Sequence, residues 1–463
     1  MNFFSLLWVA LAACSKSPSA TPSNPSSPDS TTTTAVDTAY IQYGTPFTGV
    51  PATKDVIMYQ VNFRSFSQPA SFAAVAARLD SIKALGINTL YLMPTYPVGV
   101  LKSVNSPYCV RDYFSVNGEF GTLDQLRSLV AAAHQRNMAV LFDWVADHTS
   151  WDNSWISNKS WYQQDVSGNI ISPPNTGWND VAALNYANTD MRKAMIRAMK
   201  YWIYHANIDG YRCDAADFVP FDFWQQAIDS LRAIPTHQLL LFAEGTRTDQ
   251  FTAGFDLEYG MGYYNNLANN IYAAGGSVQS IDSMNIVEYT NAGANSQVVR
   301  YISNHDIDNS NGTPLQLLGG KTGSLAAFVV TAFMKGVPMV YDGQEVGCPI
   351  QLNFFNNSTV IDWTQNPDML ATYKQLLNFR SGSETIKQGS LVSYSSADVC
   401  VFTKTYNGDT VLVVSNLRNA AETYTVPAGL VNSSWKNVSD GSSVTIGSQL
   451  SLQPYSYEIL EKP

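Results

Sequence analysis

Between residues 55 and 380 short apolar runs alternate with amphipathic stretches, and several of the runs end in an acid. Residues 56–61, 87–93, 138–143 and 337–341 read as strands. Phe72, Val75, Leu79, Ile82 and Leu85 recur every three or four residues, the spacing of one helical face. Thr122-Leu123-Asp124-Gln125 reads as a capping box ahead of Leu126, Leu129 and Val130. Further helices are expected at about 189–205, 221–233 and 325–334. So long an alternation implies a parallel sheet. A doubly wound sheet usually brings a Gly-rich phosphate loop after its first strand, and this chain has none. The expected fold is therefore α/β: a (β/α)8 TIM barrel, whose chemistry sits on the ends of several strands at one face.

Two regions break the alternation. Residues 149–186 are rich in Trp, Asn, Ser and Pro without periodicity, and read as a small domain inserted after the third strand, a lip over the site. After residue 383 come short alternating segments separated by turn residues such as Asn407-Gly408-Asp409 and Asp440-Gly441. The expected division is a barrel over 49–382 and a C-terminal β-sandwich over 383–463. At the N-terminus, the apolar stretch 2–10 is too short to span a bilayer, and Leu11-Ala12-Ala13-Cys14 places small residues before a cysteine. This resembles a bacterial lipoprotein signal. It implies removal of residues 1–13, lipidation of Cys14, and a Ser/Thr/Pro-rich disordered linker over 14–48. One lipid site is an anchor, not a span, so the chain is expected to be exported and lipid-anchored to a bacterial membrane, with the cell surface as one address.

A formal net charge of -10 disfavours nucleic acid as a partner. Cys109, Cys213, Cys348 and Cys400 are scattered without metal-type spacing; buried free thiols are the default, with one disulfide left open. With 5 His and no HExxH pattern, zinc catalysis has no support.

Acids carry the candidate chemistry. Gly210-Tyr211-Arg212-Cys213-Asp214 ends one strand-like run. Residues i and i+2 of a strand face the same way, so Arg212 and Asp214 should point together. A neighbouring guanidinium favours the ionised carboxylate, which suits a nucleophile. Residues 239–244 end a second apolar run in Glu244, a setting for a proton donor, and residues 301–306 read as a third strand ending in Asp306. His148 and His305 can each hydrogen-bond a sugar hydroxyl. Taken singly, each is commonly an ion pair or a loop cap; together, acids on separate strand ends suit chemistry with carboxylates around one bond, of which glycoside cleavage is the leading example.

The motifs, in order, resemble those of the alpha-amylase family, glycoside hydrolase family 13. Asp143-Trp144-Val145-Ala146-Asp147-His148, Gly210 to Asp214, Phe242-Ala243-Glu244 and Ser303-Asn304-His305-Asp306 are similar to its four regions, and Pro107-Tyr108-Cys109 to a segment whose Tyr stacks under the reactive sugar. The resemblance implies Asp214 as nucleophile, Glu244 as acid and base, Asp306 as stabiliser of the distorted sugar, and Arg212 as the group positioning Asp214. Tyr108, His148 and His305 would line the site. It also implies retention, with Asp214 and Glu244 roughly 5 to 5.5 Å apart. Where the family often has Asn near a calcium site, this chain has Asp147, itself an oxygen ligand, so calcium is a candidate cofactor. The family's Lys-His after the nucleophile is absent; Ala215-Ala216-Asp217 follows instead. The implied activity is endo-acting α-1,4-glucan hydrolysis on starch or maltooligosaccharides. The alternatives are a cyclomaltodextrinase or neopullulanase, an α-1,6-glucosidase, a 4-α-glucanotransferase, and, in another class, a non-catalytic glycan-binding lipoprotein.

Overall fold

The computed structural model describes residues 40–462; the expected signal peptide, Cys14 and residues up to 39 lie outside the described residues. Eight parallel strands close into a barrel in chain order. They are β1 (Met58–Val61), β2 (Thr89–Leu92), β3 (Ala139–Val145), β4 (Gly210–Asp214), β5 (Leu240–Ala243), β6 (Leu257–Tyr259), β7 (Gln297–Arg300) and β8 (Val337–Tyr341). Met58 pairs with both Thr89 and Met339, so β1 seals the ring. Strands covered on both faces carry continuous apolar runs instead of alternation, as β3 and β8 do. Gly210 enters β4 at φ +146°, and a Cβ there would lie 1.9 Å from the Leu240 carbonyl oxygen, so only glycine lets β4 approach β5.

The expected helices form. α1 (Phe72–Ala84) buries Phe72, Val75, Leu79 and Ile82 and is capped by the Ser71 side chain. α2 (Leu123–His134) begins with the Thr122–Gln125 capping box. α3 (Thr189–Ala206) starts on the Asn188 side chain and stops at Asn207, left-handed at φ 58°. α4 (Phe221–Arg232), α5 (Ser280–Val287), α6 (Gly320–Phe333) and α7 (Pro367–Gly382) follow, α5 without having been expected.

Three expectations need correction. The linker does not extend to residue 48. The Tyr40 hydroxyl donates to the Arg197 carbonyl (2.8 Å), the Tyr43 amide donates to the Tyr204 carbonyl (2.8 Å), and Phe47 stacks on His134 with centroids 4.3 Å apart. These aromatic rings dock a stretch whose polar neighbours suggested a tether. Second, Asp306 does not end a strand. β7 stops at Arg300, and Asp306 sits in the first turn of the short helix His305–Ser310, whose cap, Asn304, accepts from the Ile307 amide (2.9 Å). Third, no disulfide forms among the described cysteines: Cys109, Cys213, Cys348 and Cys400 are buried and free.

The inserted stretch is held by a two-stranded antiparallel pair, His148–Ser150 with Val181–Ala183. The C-terminal region is antiparallel, with a six-stranded sheet and a separate two-stranded one, Glu422–Thr425 with Gln449–Leu452. In the six-stranded sheet, Val399–Tyr406 and Asp409–Asn416 turn at Asn407-Gly408, both at positive φ as a type I′ hairpin requires. Alternation then divides the sheet. Val399, Val401, Leu412 and Val414 pack with Tyr424 and Leu452 of the small sheet, whereas Cys400, Phe402, Val411 and Val413 join the barrel's core. The Ser415 hydroxyl donates to the Ala326 carbonyl of α6 (3.0 Å).

Candidate active site

The carboxyl ends of the strands bring the expected residues together. Arg212, fully buried on β4, directs one terminal nitrogen (Nη1) to Asp143 Oδ1 (2.6 Å) and Asp214 Oδ1 (2.8 Å). Its other terminal nitrogen (Nη2) forms an ion pair with Glu244 Oε1 at 2.5 Å. The guanidinium lies among the rings of Tyr91, Tyr108 and Tyr259, with centroids 5.5 to 5.9 Å away. The expected Arg212–Asp214 pair is therefore one arm of a larger cluster in which one cation faces three acids. Asp143 lies at the centre of that cluster without having been singled out; its sequence signal was its place near the end of the third strand. Its Oδ2 accepts from the Tyr91 hydroxyl (2.6 Å) and the Tyr108 hydroxyl (2.9 Å).

This sharing changes the electrostatics expected for Asp214. Burial pushes its carboxyl well above the usual range; Arg212 opposes the rise, and Glu244, Asp143 and Asp147 add to it. One guanidinium cannot neutralise three buried carboxylates, so the cluster holds protons more tightly than a simple Arg–Asp pair. Glu244 directly follows β5, and its Oε2 accepts from the Ala215 amide (2.8 Å). Ala215 makes this contact from a left-handed conformation (φ 43°) uncommon for a non-glycine residue, a strained backbone at the turn after Asp214.

The two histidines are positioned differently from what the sequence suggests. Burial and then Arg212 push His305 down to about 4, so it is neutral at pH 7. Gln60 Nε2 donates to its Nδ1 (2.7 Å), its Nε2 then donates to the Tyr108 hydroxyl (2.6 Å), and that hydroxyl donates to Asp143. His148 lies opposite: burial lowers its pKa, but the Asp147 carboxylate outweighs burial and raises it. Its Nδ1 meets Asp147 Oδ2 (2.8 Å) and its Nε2 meets the Tyr108 carbonyl (3.1 Å). Both partners only accept, which suits an imidazolium. Neither histidine has a ring nitrogen free for a sugar; both hold Tyr108 instead. Asp306 projects into the cleft with its side chain 57 % exposed.

These side chains line a cleft of about 590 Å³, whose wall also includes Trp178, Phe218, Phe354 and Phe355. The sequence gave no sign of these rings, because their positions on the wall depend on loops. Asp217, which follows the turn after Asp214, faces away from the open cleft. It accepts from the amides of Thr246 (2.7 Å) and Arg247 (3.2 Å) and from Gln250 Nε2 (2.9 Å), tying down the loop after Glu244.

The residues do not assemble a calcium site. Asp147 commits one oxygen to His148; its other oxygen is buried without a hydrogen-bond partner. Calcium takes 6–8 oxygens, and among the described residues no three acids, histidines or cysteines converge to hold a metal.

The family model for the alpha-amylase catalytic domain matches residues 64–169 and 175–361. The chain is 24% identical over 411 residues to Alpha-amylase 2 of Dictyoglomus thermophilum, covering 83% of this chain and 69% of that protein. It is 23% identical over 365 residues to a cyclomaltodextrinase of Thermoanaerobacter pseudethanolicus, covering 73% and 62%. The chain thus spans about two thirds of the length of these curated relatives. A noncanonic maltogenic alpha-amylase from Thermotoga neapolitana superposes with a TM-score of 0.76 at 25% identity, over 89% of this chain and 99% of that one. An alpha-amylase from Lactobacillus plantarum superposes with a TM-score of 0.79 at 23% identity, over 89% and 100%, a likeness of fold. A closed barrel with its acids gathered on one buried arginine, in a chain most of whose barrel fits that family model, belongs to the alpha-amylase family and is an amylase-type glycoside hydrolase of family 13.

Proposed function

We propose that the protein is a retaining, endo-acting hydrolase of α-1,4-glucosidic bonds in starch and maltooligosaccharides. The observation that carries this reading is Asp214 and Glu244 held on the two terminal nitrogens of one guanidinium. That bridge keeps the carboxyls near the roughly 5 to 5.5 Å of a retaining pair; an inverting pair must leave room for a water between them. Asp214 attacks the anomeric carbon as Glu244 gives its proton to the departing glycosidic oxygen, leaving a glycosyl ester on Asp214. Glu244 then takes a proton from water, which attacks the same carbon and frees Asp214. Arg212 keeps Asp214 aimed and offsets its charge. Asp306, exposed in the cleft, holds hydroxyls of the distorted ring, and Tyr108, fixed by both histidines, supports that ring from below.

Hydrolysis of cyclomaltodextrins is the second reading, favoured by the similarity to a protein of that name. Reducing-sugar release from soluble starch, β-cyclodextrin and maltopentaose, with the anomer of the first product followed by NMR, separates the two. Fast release from starch with α-anomeric products supports the endo-hydrolase; preference for the cyclic substrate selects the second reading, and β-anomeric products refute retention.

We further propose export and anchoring through a lipid on Cys14, on the strength of the leader's resemblance to a lipoprotein signal. Labelled palmitate should enter the wild type and be absent from Cys14→Ala; equal labelling of both would refute the anchor.

A further inference from the structure

We propose that Trp178 and Phe218 form an aromatic clamp for the glucosyl unit on the leaving-group side of the scissile bond, an inference that rests on the hydrolase reading above. The placement follows from Glu244. In that reading Glu244 protonates the departing oxygen, and it is held by the Ala215 amide. The Phe218 amide in turn donates to the Ala215 carbonyl (2.9 Å), so Phe218 stands at the end of the short turn that carries the proton donor. Tyr108 and His305 lie on the other flank, gathered on Asp143. A sugar that leaves past Glu244 therefore passes the Phe218 ring.

Trp178 reaches the same place from the inserted stretch. Its ring is tilted against Phe218 with centroids 5.5 Å apart, and its edge meets His148 at 5.7 Å. Both rings remain open to solvent, Trp178 at 37% and Phe218 at 55%. Among the described residues the only other aromatic ring in the exposed large apolar set is Tyr43, so two of three such rings meet in this one cleft. Rings that served only to pack the loops would be covered; paired, exposed and beside a reacting bond, they present faces on which the C–H side of a pyranose can stack.

The nearest charged candidate is already occupied. The Asp217 carboxylate is spent on backbone amides and Gln250, and a Cβ on Gly245 would lie 2.2 Å from Asp217 Oδ1, so the loop closes directly over that acid. Recognition on this side therefore falls to the rings, and it should be insensitive to salt, as a charged contact would not be.

The test uses the full-length protein and two substrates. Maltopentaose places sugar on both sides of the cleaved bond; α-maltosyl fluoride expels fluoride and has no sugar beyond it. In Phe218→Ala and Trp178→Ala, kcat/KM for maltopentaose should fall about tenfold further than for the fluoride. Phe218→Tyr should recover most of the difference, and the difference should be the same at low and high salt. Equal losses on both substrates, or no loss on maltopentaose, would overturn the clamp. A wild type that releases fluoride normally but has inert variants on both substrates would likewise assign the rings to loop packing. A wild type inert on both substrates would overturn the hydrolase reading itself.

Discussion

Two arginines, both buried and both lined by protein groups, have opposite surroundings. Arg212, at the carboxyl ends of the strands, meets three carboxylates; burial lowers its pKa, but Asp143 and Glu244 outweigh burial and hold it well above the usual range. Arg380, on α7, meets carbonyls: it donates to Ala332 O (2.5 Å) in the last turn of α6 and to Gly336 O (2.8 Å) just before β8. Burial pulls it down to about 10. A guanidinium that caps a helix end is an architectural brace, favoured by the negative end of the helix dipole. A guanidinium that gathers acids beside a cleft instead concentrates charge where a reaction can use it.

Breaking each cluster should show the difference, and the largest effect belongs to Arg212's. Asp214→Asn removes the proposed nucleophile and should lower kcat on starch roughly 10⁴-fold or more with little change in melting temperature, checked by reducing-sugar assay and calorimetry. Arg380→Met should do the reverse. It leaves two carbonyls without their donor, so unfolding in denaturant should show a loss of about 2–4 kcal/mol while kcat per folded molecule stays within twofold. A loss of activity without a loss of stability would contradict the brace.

The shared cation also sharpens the pH dependence. Asp214 must be ionised to attack, and burial with its neighbouring acids holds its pKa up. The rate should therefore be lost as pH falls through a value above the ordinary 3.8 of an aspartate, and a profile of kcat/KM with its acid limb at or below that value would refute the sharing. His305 adds a stability effect of defined sign. Its folded pKa of about 4 lies below the unfolded 6.5, so the unfolded chain binds the extra proton in that interval and stability should decline as pH falls from 6.5 to 4. Denaturant midpoints across that range would show it, with His305→Gln flattening the slope. The smallest expected effect is that of a chelator. Since the side chains around Asp147 assemble no calcium cage, the rate on starch in EDTA should match the rate in calcium; activity lost to EDTA and restored by calcium would place the ion on the unpartnered Asp147 oxygen and nearby carbonyls.

Local rules made much of the barrel readable. Periodicity marks α1, the capping box marks the start of α2, and an unbroken apolar run marks β8. Asn407-Gly408 marks its hairpin, since few other pairs adopt positive φ twice in succession. β6 and β7 escaped because strands of three and four residues inside a closed barrel have neither length nor alternation to show. Residues 40–48 escaped because their docking depends on the faces of α2 and α3, not on their own composition.

The sequence by itself determined the order of strands and helices, the glycine that lets β4 approach β5, and the identity of the acids, because each is written in neighbouring residues. Only the tertiary structure decided that Arg212 is shared by three carboxylates, that both histidines face Tyr108, and that Trp178 meets Phe218. Those pairings join residues far apart in the chain. Their distances are set by barrel closure and loop packing, which depend on every strand at once.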